Sequence, residues 1–291
     1  MFVIVGIVVV LASIVGGYVM EKGNVLVLLQ PAELIIIGGA ALGTVFVANP
    51  LPTVIRLGKG AIGVLKGSRY TRSFYLEQLR MLHEVFSYAR KQGMQKLEAD
   101  IEEPEKSALF AKFPTFAKDR HALDFFCDTM RVSIAGSVGP FEMDQLMEID
   151  LDVHHQEAAE PVNALTTVAD SLPGLGIVAA VLGVVVTMGA LGGPPEEIGH
   201  KVAAALVGTF LGILLCYGIF GPLAAHMAKM NDAEHAYYGM LRTAMAASFR
   251  GSAPILVVEF ARRAIPSLVR PSFKEMEKAC KGGSGQAAAA A

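Results

Sequence analysis

The chain has 291 residues, of which 53% are hydrophobic and only 18% are charged, and its formal net charge is -2. With a mean hydropathy of +0.47, this composition indicates a membrane protein rather than one large or two small soluble domains. The charge provides no basic field for nucleic acid, and the three cysteines are too far apart for a disulfide framework or a structural zinc site.

Four apolar stretches are predicted to cross the bilayer, because roughly 20 helical residues span its hydrocarbon core. They cover residues 2–20, about 34–48, 172–191 and 202–225. Only Met1 precedes the first stretch, which therefore lacks the positively charged start of a secretory signal and is interpreted as an uncleaved helix. The second stretch is short and is followed by Pro50, so we expect a tilted or proline-kinked helix there.

The four stretches contain no Asp, Glu, Lys or Arg. An ionisable side chain at membrane depth is costly and is retained there only for a function such as ion transport. If the chain conducts protons, we therefore expect the titrating carboxylate to come from another polypeptide.

The distribution of positive charge predicts the orientation in the membrane. Of the 25 Lys and Arg residues, all except Lys22 and Lys201 lie in the long polar loop or in the tail after the fourth stretch. The positive-inside rule therefore places both termini and the long loop in the cytoplasm. The resulting division is a first transmembrane hairpin (1–50), a cytoplasmic helical domain (51–170), a second hairpin (171–225), a cytoplasmic helical tail (226–281) and a low-complexity end (282–291) that is excluded from fold reasoning.

Outside the membrane, apolar residues recur every three or four positions, which predicts helices. One pattern runs over 75–98 with a break near Gly93, a second runs over 122–134, and a third begins near Pro140 and continues into the third transmembrane stretch. The tail segments 236–249 and 254–265 are also helix-like. Because no alternating pattern of useful length indicates a strand, the predicted fold class is all-α: a polytopic membrane protein with four transmembrane helices and a helical cytoplasmic domain.

Thr209 is the polar residue of most interest within the predicted spans. It lies between Gly208 and Gly212, which allow another helix to approach closely. Its hydroxyl either bonds back to the carbonyl of the preceding turn, as is common for helical threonines, or is available for another task. The residues alone leave both interpretations open.

Two prolines lie near the ends of the third and fourth predicted spans. Pro173 is expected in the first helical turn, where its missing N–H has no intrahelical partner in any case. Pro222 should interrupt its helix unless the helix bends there. A hinge and a helix boundary both account for the pair, and the spacing favours the boundary.

Neither a catalytic nor a nucleotide-binding motif is present in the sequence, so we predict that the chain is not an enzyme and uses no cofactor. One acidic and histidine-rich cluster offers some pairs of side chains at metal-ligand spacing. It consists of Asp150, Asp152, His154, His155 and Glu157. A solvated charged helix face is the favoured interpretation of this cluster, and no metal site is predicted.

Arg90 and Glu98 carry opposite charges, and their separation along the predicted helix is too large for them to pair with each other. Each is therefore available to a group outside its own helix. On the local pattern alone, ordinary solvated surface is the favoured interpretation of both.

The segment SLPGLGIVAAVLGVVVTMGAL, followed by PPEEIGHKVAAALVGTFLGILLCYGIFGPLA, resembles the third and fourth transmembrane segments of the MotA family of bacterial flagellar stator subunits. The similarity extends to the layout of the chain, which has two N-terminal spans, a long loop with the segment SYARKQG, two further spans and a charged tail. The alanine-rich C-terminus is the main departure from the family.

The resemblance implies a motor function in the bacterial inner membrane. MotA-type subunits form a pentamer around two copies of MotB, whose single transmembrane helix supplies an ion-binding aspartate, and ion flow turns the ring against the rotor protein FliG. By residue, the resemblance implies that Arg90 and Glu98 contact the rotor, that Pro173 and Pro222 are conformational prolines, and that Thr209 faces the aspartate of the partner.

Ala180 bears on the identity of the ion. Sodium-driven relatives of the PomA type have a threonine at this position of the third span. A dehydrated sodium ion needs several oxygen ligands, whereas a proton needs only the carboxylate and a path of water. The resemblance with Ala180 in place therefore predicts coupling to the transmembrane proton gradient.

Three alternatives compete with the stator assignment. An energy-transducing subunit of the ExbB or TolQ type shares the small-residue third and fourth spans, but such subunits usually have three spans, and the N-terminal hairpin argues against this class. A channel or carrier that works alone would conduct ions without a partner. A structural scaffold would tolerate charge reversal at Arg90 and Glu98 without loss of torque.

Overall fold

The protein is described by a computed structural model over residues 2–136, 138–189 and 191–288. Residues 289–291 of the predicted low-complexity end lie outside this part of the chain. Within the described ranges the secondary structure is helical and no strand is present, which confirms the predicted all-α class.

Thirteen α-helices follow one another in the described chain. They are α1 (Phe2–Met20), α2 (Val25–Leu28), α3 (Pro31–Ala48), α4 (Leu51–Lys66), α5 (Arg72–Gln92), α6 (Met94–Glu102), α7 (Pro114–Ala117), α8 (Arg120–Ile134), α9 (Pro140–Met188), α10 (Pro195–Leu214), α11 (Gly221–Phe249), α12 (Pro254–Ala264) and α13 (Phe273–Ala288). A 3-10 turn (Phe110–Lys112) precedes α7, and a π-helical turn (Leu215–Phe220) joins α10 to α11.

Four helical segments are long and apolar enough to cross a membrane, as judged by length and composition. The first is α1, whose bounds agree with the predicted span. The others lie within Val25–Ala48, Pro140–Met188 and Pro195–Phe249. The predicted long helix from Pro140 into the third span is therefore confirmed as the single helix α9.

The chain divides into two compact units. Unit 1 comprises Met1–Gly67 and Glu157–Asn231, and unit 2 comprises Ser68–Gln156 and Asp232–Ala291. Each of the long helices α9 and α11 contributes residues to both units.

Unit 1 is held together by a ridge of α3. Every fourth residue of this helix from Glu33 is buried, namely Glu33, Ile37, Ala41 and Val45, because positions four apart lie on one helix face. This ridge forms one apolar cluster with Leu172 and Ala179 of α9. In contrast, α1 has no buried residue, as is expected of an apolar helix that lipid or another subunit covers.

The core of unit 2 contains many aromatic side chains. The helices that the periodic apolar pattern predicted in this region are present, because residues three or four positions apart lie on one buried face. The ring of Phe126 on α8 lies 5.8 to 6.2 Å from the rings of Phe86, Phe110 and Phe116. Such tilted and edge-to-face pairs stabilise a core beyond their buried area. The α5–α6 break also lies where predicted, because Gly93 adopts a φ of +90° that ends α5 at Gln92.

The structure places the two prolines differently from the prediction. Pro173 lies inside α9, as does Pro161, so its predicted position in a first turn is wrong. A proline removes one N–H from the helical ladder without ending a helix that neighbouring helices hold in place. Pro222 does not end its helix either, because helical structure is continuous through the π-helical turn into α11.

Candidate functional site

The backbones of α9 and α10 touch along a seam of glycines. A Cβ atom added at Gly212 would lie 2.5 Å from the carbonyl oxygen of Leu172 and 2.9 Å from the Cα of Gly176. A Cβ added at Gly176 would lie 2.8 Å from the carbonyl oxygen of Gly208. These distances leave no room for any side chain, so the seam requires glycine on both helices.

Glu33 lies over this seam and was missed by the sequence analysis. Its side chain is 6% exposed, and its Oε2 has no hydrogen-bond partner among the described residues. A Cβ added at Gly208 would lie 2.5 Å from Oε2 of Glu33, so the carboxylate is packed against the backbone of α10. An unpaired carboxylate in such a place is costly, which makes Glu33 a functional candidate.

The expectation that the spans carry no ionisable residue is therefore wrong for the second span. Hydropathy placed the start of this span at about Leu34, whereas the helix begins at Pro31. Proline is favoured at the first helical position because its missing N–H needs no partner there. This signal could have extended the span to include Glu33.

Thr209 follows Gly208 on α10, at the level where Gly208 packs against α9. A Cβ added at Gly208 would lie 3.3 Å from the backbone nitrogen of Ala180, so the structure brings the segments of Thr209 and Ala180 together. The hydroxyl of Thr209 forms no hydrogen bond with any described residue. In the same unit, Thr44 and Thr187 bond back to carbonyl oxygens of their own helices, each at 2.8 Å.

This contrast decides between the two interpretations of Thr209. Its hydroxyl is half-buried and is not used by the preceding turn. It can both donate and accept a hydrogen bond, so it is available to a carboxylate, a water molecule or a passing ion.

Pro222 is the second residue after the π-helical turn. The N–H of Gly221 donates to the carbonyl oxygen of Cys216, five residues earlier, where an α-helix would use the carbonyl four residues earlier. Pro222 has no N–H, and its ring clashes with the α-helical path of the preceding turn. The proline therefore favours the wider turn, which is a feature that occurs frequently at functional sites.

Arg90 and Glu98 lie on either side of Gly93 in unit 2. Arg90 is in the last turn of α5, where a positive charge suits the helix dipole, and Glu98 is on α6. Both side chains are exposed, and neither forms an ion pair with a described residue. Arg90 and Glu98 are therefore two exposed, opposite charges that are not paired within the described part of the chain.

The histidine-rich cluster packs more tightly than a solvated face. The ring of His154 lies 4.8 Å from that of Tyr238, and the ring of His155 lies 4.4 Å from that of His235. Asp150, by contrast, is exposed as predicted. Among the described residues, no group of three His, Cys, Asp or Glu side chains could hold a metal ion.

Comparison with protein families gives two matches. The model described as "Motility protein A N-terminal" matches residues 4–93, and the model described as "MotA/TolQ/ExbB proton channel family" matches residues 118–240. The first match includes the N-terminal hairpin, which was the predicted point of difference from the ExbB and TolQ type.

Curated proteins are similar over nearly the whole chain. Motility protein A of Salmonella typhimurium strain LT2 is 40% identical over 278 residues, which cover 96% of this chain and 94% of that protein. Motility protein A of Escherichia coli K12 is 40% identical over 285 residues, with the same two coverages. Chemotaxis protein LafT of Vibrio parahaemolyticus is 33% identical over 273 residues, which cover 94% of this chain and 96% of that protein.

Two solved structures share the fold. The structure of C. jejuni MotAB matches with a TM-score of 0.75 at 20% identity, covering 91% of this chain and 95% of that chain. The flagellar MotAB stator complex from Bacillus subtilis matches with a TM-score of 0.70 at 21% identity, covering 88% and 92%. These matches confirm the all-α fold.

Proposed function

This chain belongs to the motility protein A family, and from that membership we propose that it is the ring-forming subunit of a flagellar motor stator, driven by the transmembrane proton gradient. The family also confirms the prediction that the chain is not an enzyme. The observations that carry the proposal are the glycine seam of α9 and α10 and the unused hydroxyl of Thr209, in a chain 40% identical to motility proteins.

The proposed ion pathway passes Thr209 and Ala180 and uses a carboxylate of a MotB-type single-span partner. No acidic residue is present between 172 and 188 or between 202 and 225, which supports an external carboxylate opposite Thr209. Glu33 is proposed as a second carboxylate that stabilises positive charge at the seam, because its Oε2 is buried without a protein partner. Burial strengthens both interactions, since charges attract more strongly where water is excluded.

Coupling to protons rather than sodium is proposed from Ala180, which adds no oxygen ligand. Cells that depend on this chain for motility are expected to swim at unchanged speed when sodium is replaced by potassium at fixed proton-motive force. Swimming speed and the proton-motive force are measured together in both media. Swimming that stops without sodium and resumes when sodium returns contradicts the proposal.

Self-association into a pentamer around two partner copies is proposed from the family resemblance, and an exposed apolar face of α9 within unit 2 supports an association with another subunit. Phe141 is 70% exposed, Ile149 is 65% exposed and Val153 is 51% exposed. An apolar face of this kind on a polar unit marks a surface that another protein covers. The composition of the complex purified from the membrane tests the stoichiometry, and ion flux by this chain alone in liposomes contradicts the need for a partner.

The cytoplasmic location of both termini, of residues 51–170 and of the tail is proposed from the distribution of Lys and Arg. In this orientation unit 2 faces the rotor, and the proposed rotor contacts are Arg90 and Glu98. Their exposure and their lack of ionic partners among the described residues support a contact with the rotor protein FliG. Repeated weak contacts suit a surface that must bind and release at every step.

Charge reversal tests the rotor contact. Arg90→Glu is expected to lower the torque of tethered cells, and a reciprocal reversal on the rotor protein is expected to restore it, because the pair is again of opposite sign. Lys91→Glu is the matched control, since Lys91 is an exposed cation in the same helical turn. Equal torque losses for Arg90→Glu and Lys91→Glu, with no rescue, contradict a specific contact.

A further inference from the structure

A cavity of about 290 Å³ adjoins Arg90 in unit 2. Its wall is apolar on the side of α5 and α6, where Phe86, Ala89 and Met94 line it. The volume is roughly ten times the share of one water molecule in the liquid, so it has room for a large side chain. Met94 at its edge is 38% exposed, and a flexible thioether adapts readily to a bound group.

The opposite wall contains Ser248, in the last turn of α11, and Ser252, in the turn between α11 and α12. The turn is fixed by its backbone, since Gly251 has a φ of +78° and the N–H of Ser252 donates to the carbonyl oxygen of Ala247 at 3.2 Å. The side-chain hydroxyls of the two serines form no hydrogen bond with a described residue. The backbone of this wall is therefore fixed, and its two serine hydroxyls are available to a bound group.

The charge around the cavity selects the chemistry of its occupant. On the neighbouring helix α12, Arg262 and Arg263 both donate to Glu259 and lower the pKa of that carboxyl to about 2, so this acid is ionised and balances one of the two positive charges. Arg90 has no such partner in the described chain. The uncompensated charge at the cavity is therefore positive.

We propose that this cavity receives an apolar side chain of the rotor protein, with an adjacent rotor carboxylate paired to Arg90. The inference rests on the proposed stator function, and it adds an apolar contact in the cavity to the ionic contact of Arg90. An exposed ion pair contributes little in water and weakens with salt, whereas an apolar side chain that enters a preformed cavity is largely insensitive to salt. The cavity thus fixes the position of the bound rotor side chain, and the charge of Arg90 attracts the rotor carboxylate.

Filling the cavity tests the inference. Ser248→Leu places a branched apolar side chain in the space, and Ser248→Ala is the conservative variant at the same position. Ser133→Leu is the matched control, because Ser133 is a half-buried serine on α8 that does not line the cavity. Each variant is purified as the full complex in lipid nanodiscs, and its binding of the rotor protein FliG is titrated at low and high salt.

Ser248→Leu is expected to weaken binding roughly tenfold at both salt concentrations, as for the loss of one buried apolar side chain. Ser248→Ala and Ser133→Leu are expected to bind as the unmodified complex does. Ion flux of the Ser248→Leu complex reports whether it folds and assembles, and Ser252→Leu replaces it if the flux is lost.

The outcomes separate the two levels of the proposal. If Arg90→Glu weakens binding and both cavity-filling variants bind normally, the cavity is not a rotor site, while the proposed function stands. If Arg90→Glu and the cavity-filling variants all bind normally, the rotor contact itself is wrong. Weakened binding by Ser133→Leu to the same extent as by Ser248→Leu also overturns the inference, since the effect is then unspecific.

Discussion

Gly212→Ala is expected to abolish motility, whereas Gly174→Ala in the same transmembrane hairpin is expected to leave it unchanged. The added methyl group at position 212 would lie 2.5 Å from the carbonyl oxygen of Leu172 and 2.9 Å from the Cα of Gly176. Both atoms belong to the backbone and cannot rotate away, so α9 and α10 must separate. At Gly174, no described atom lies within 4 Å of the new methyl group.

The expected size of the effect follows from the cost of overpacking, which is about 1–3 kcal/mol in a well-packed core. Separation of the helices also moves Thr209 relative to Ala180, and an ion pathway depends on such distances. We therefore expect a loss of ion flux of at least about tenfold, the equivalent of about 1.4 kcal/mol in a barrier. Gly208→Ala should be intermediate, because the nearest obstacle to its methyl group is the movable Oε2 of Glu33.

Three measurements distinguish an effect on helix packing at the seam from a general loss of folded protein. The amount of each variant in the membrane, the ion flux of the purified complex and the swimming speed are compared for Gly212→Ala, Gly208→Ala and Gly174→Ala. The close packing at the seam is supported if the loss of ion flux is largest for Gly212→Ala, intermediate for Gly208→Ala and absent for Gly174→Ala, while similar amounts of all three variants are present in the membrane. Normal swimming by Gly212→Ala shows that the helices do not approach as closely as described.

The fold could be predicted from the sequence because its determinants are local. The length of the apolar stretches and the spacing of apolar residues give four spans, the long helix α9 and the helices of unit 2. The break at Gly93 was predicted for the same reason, since glycine is the residue that tolerates the positive φ of a helix end.

The candidate site was less predictable because its determinants are not local. The unused hydroxyl of Thr209 depends on which rotamer its neighbours permit, and the sequence leaves that choice open. Glu33 was missed because hydropathy fades gradually at the end of a span, whereas the proline at position 31 sets the helix start sharply. The roles proposed for Arg90 and Glu98 came from resemblance, because an exposed charge carries no local sign of its partner.

The π-helical turn is the feature with the weakest sequence signal. It amounts to one extra residue in the helical path between Leu215 and Phe220, and an insertion of this kind leaves the apolar pattern on either side intact. Pro222 was recognised as an interruption, but the sequence offered no choice between a break, a bend and a wider turn.

Pro222→Ala is accordingly expected to reduce swimming and ion flux severely by removing the cause of the π-helical turn. Alanine restores an N–H that can bond to the carbonyl four residues earlier, so the turn can relax to an α-helix. One residue corresponds to about 100° of helical rotation, so Thr209 upstream is turned relative to Ala224 and Met227, which the core of unit 1 holds. Such a change in the position of Thr209 alters the proposed ion pathway.

The matched control is Pro161→Ala, which restores an N–H inside α9, where no π-helical turn is present. It is expected to leave motility unchanged. The structural readout is the reaction of Cys216 with a membrane-permeant thiol reagent, since this cysteine lies within the π-helical turn and is only 3% exposed. If Cys216 is labelled faster in Pro222→Ala than in Pro161→Ala, and motility is lost only in Pro222→Ala, then Pro222 maintains the π-helical turn and the turn is needed for motility. If Pro222→Ala swims normally while its labelling rises, the turn has no part in the motor; if labelling stays low, the proline does not maintain it.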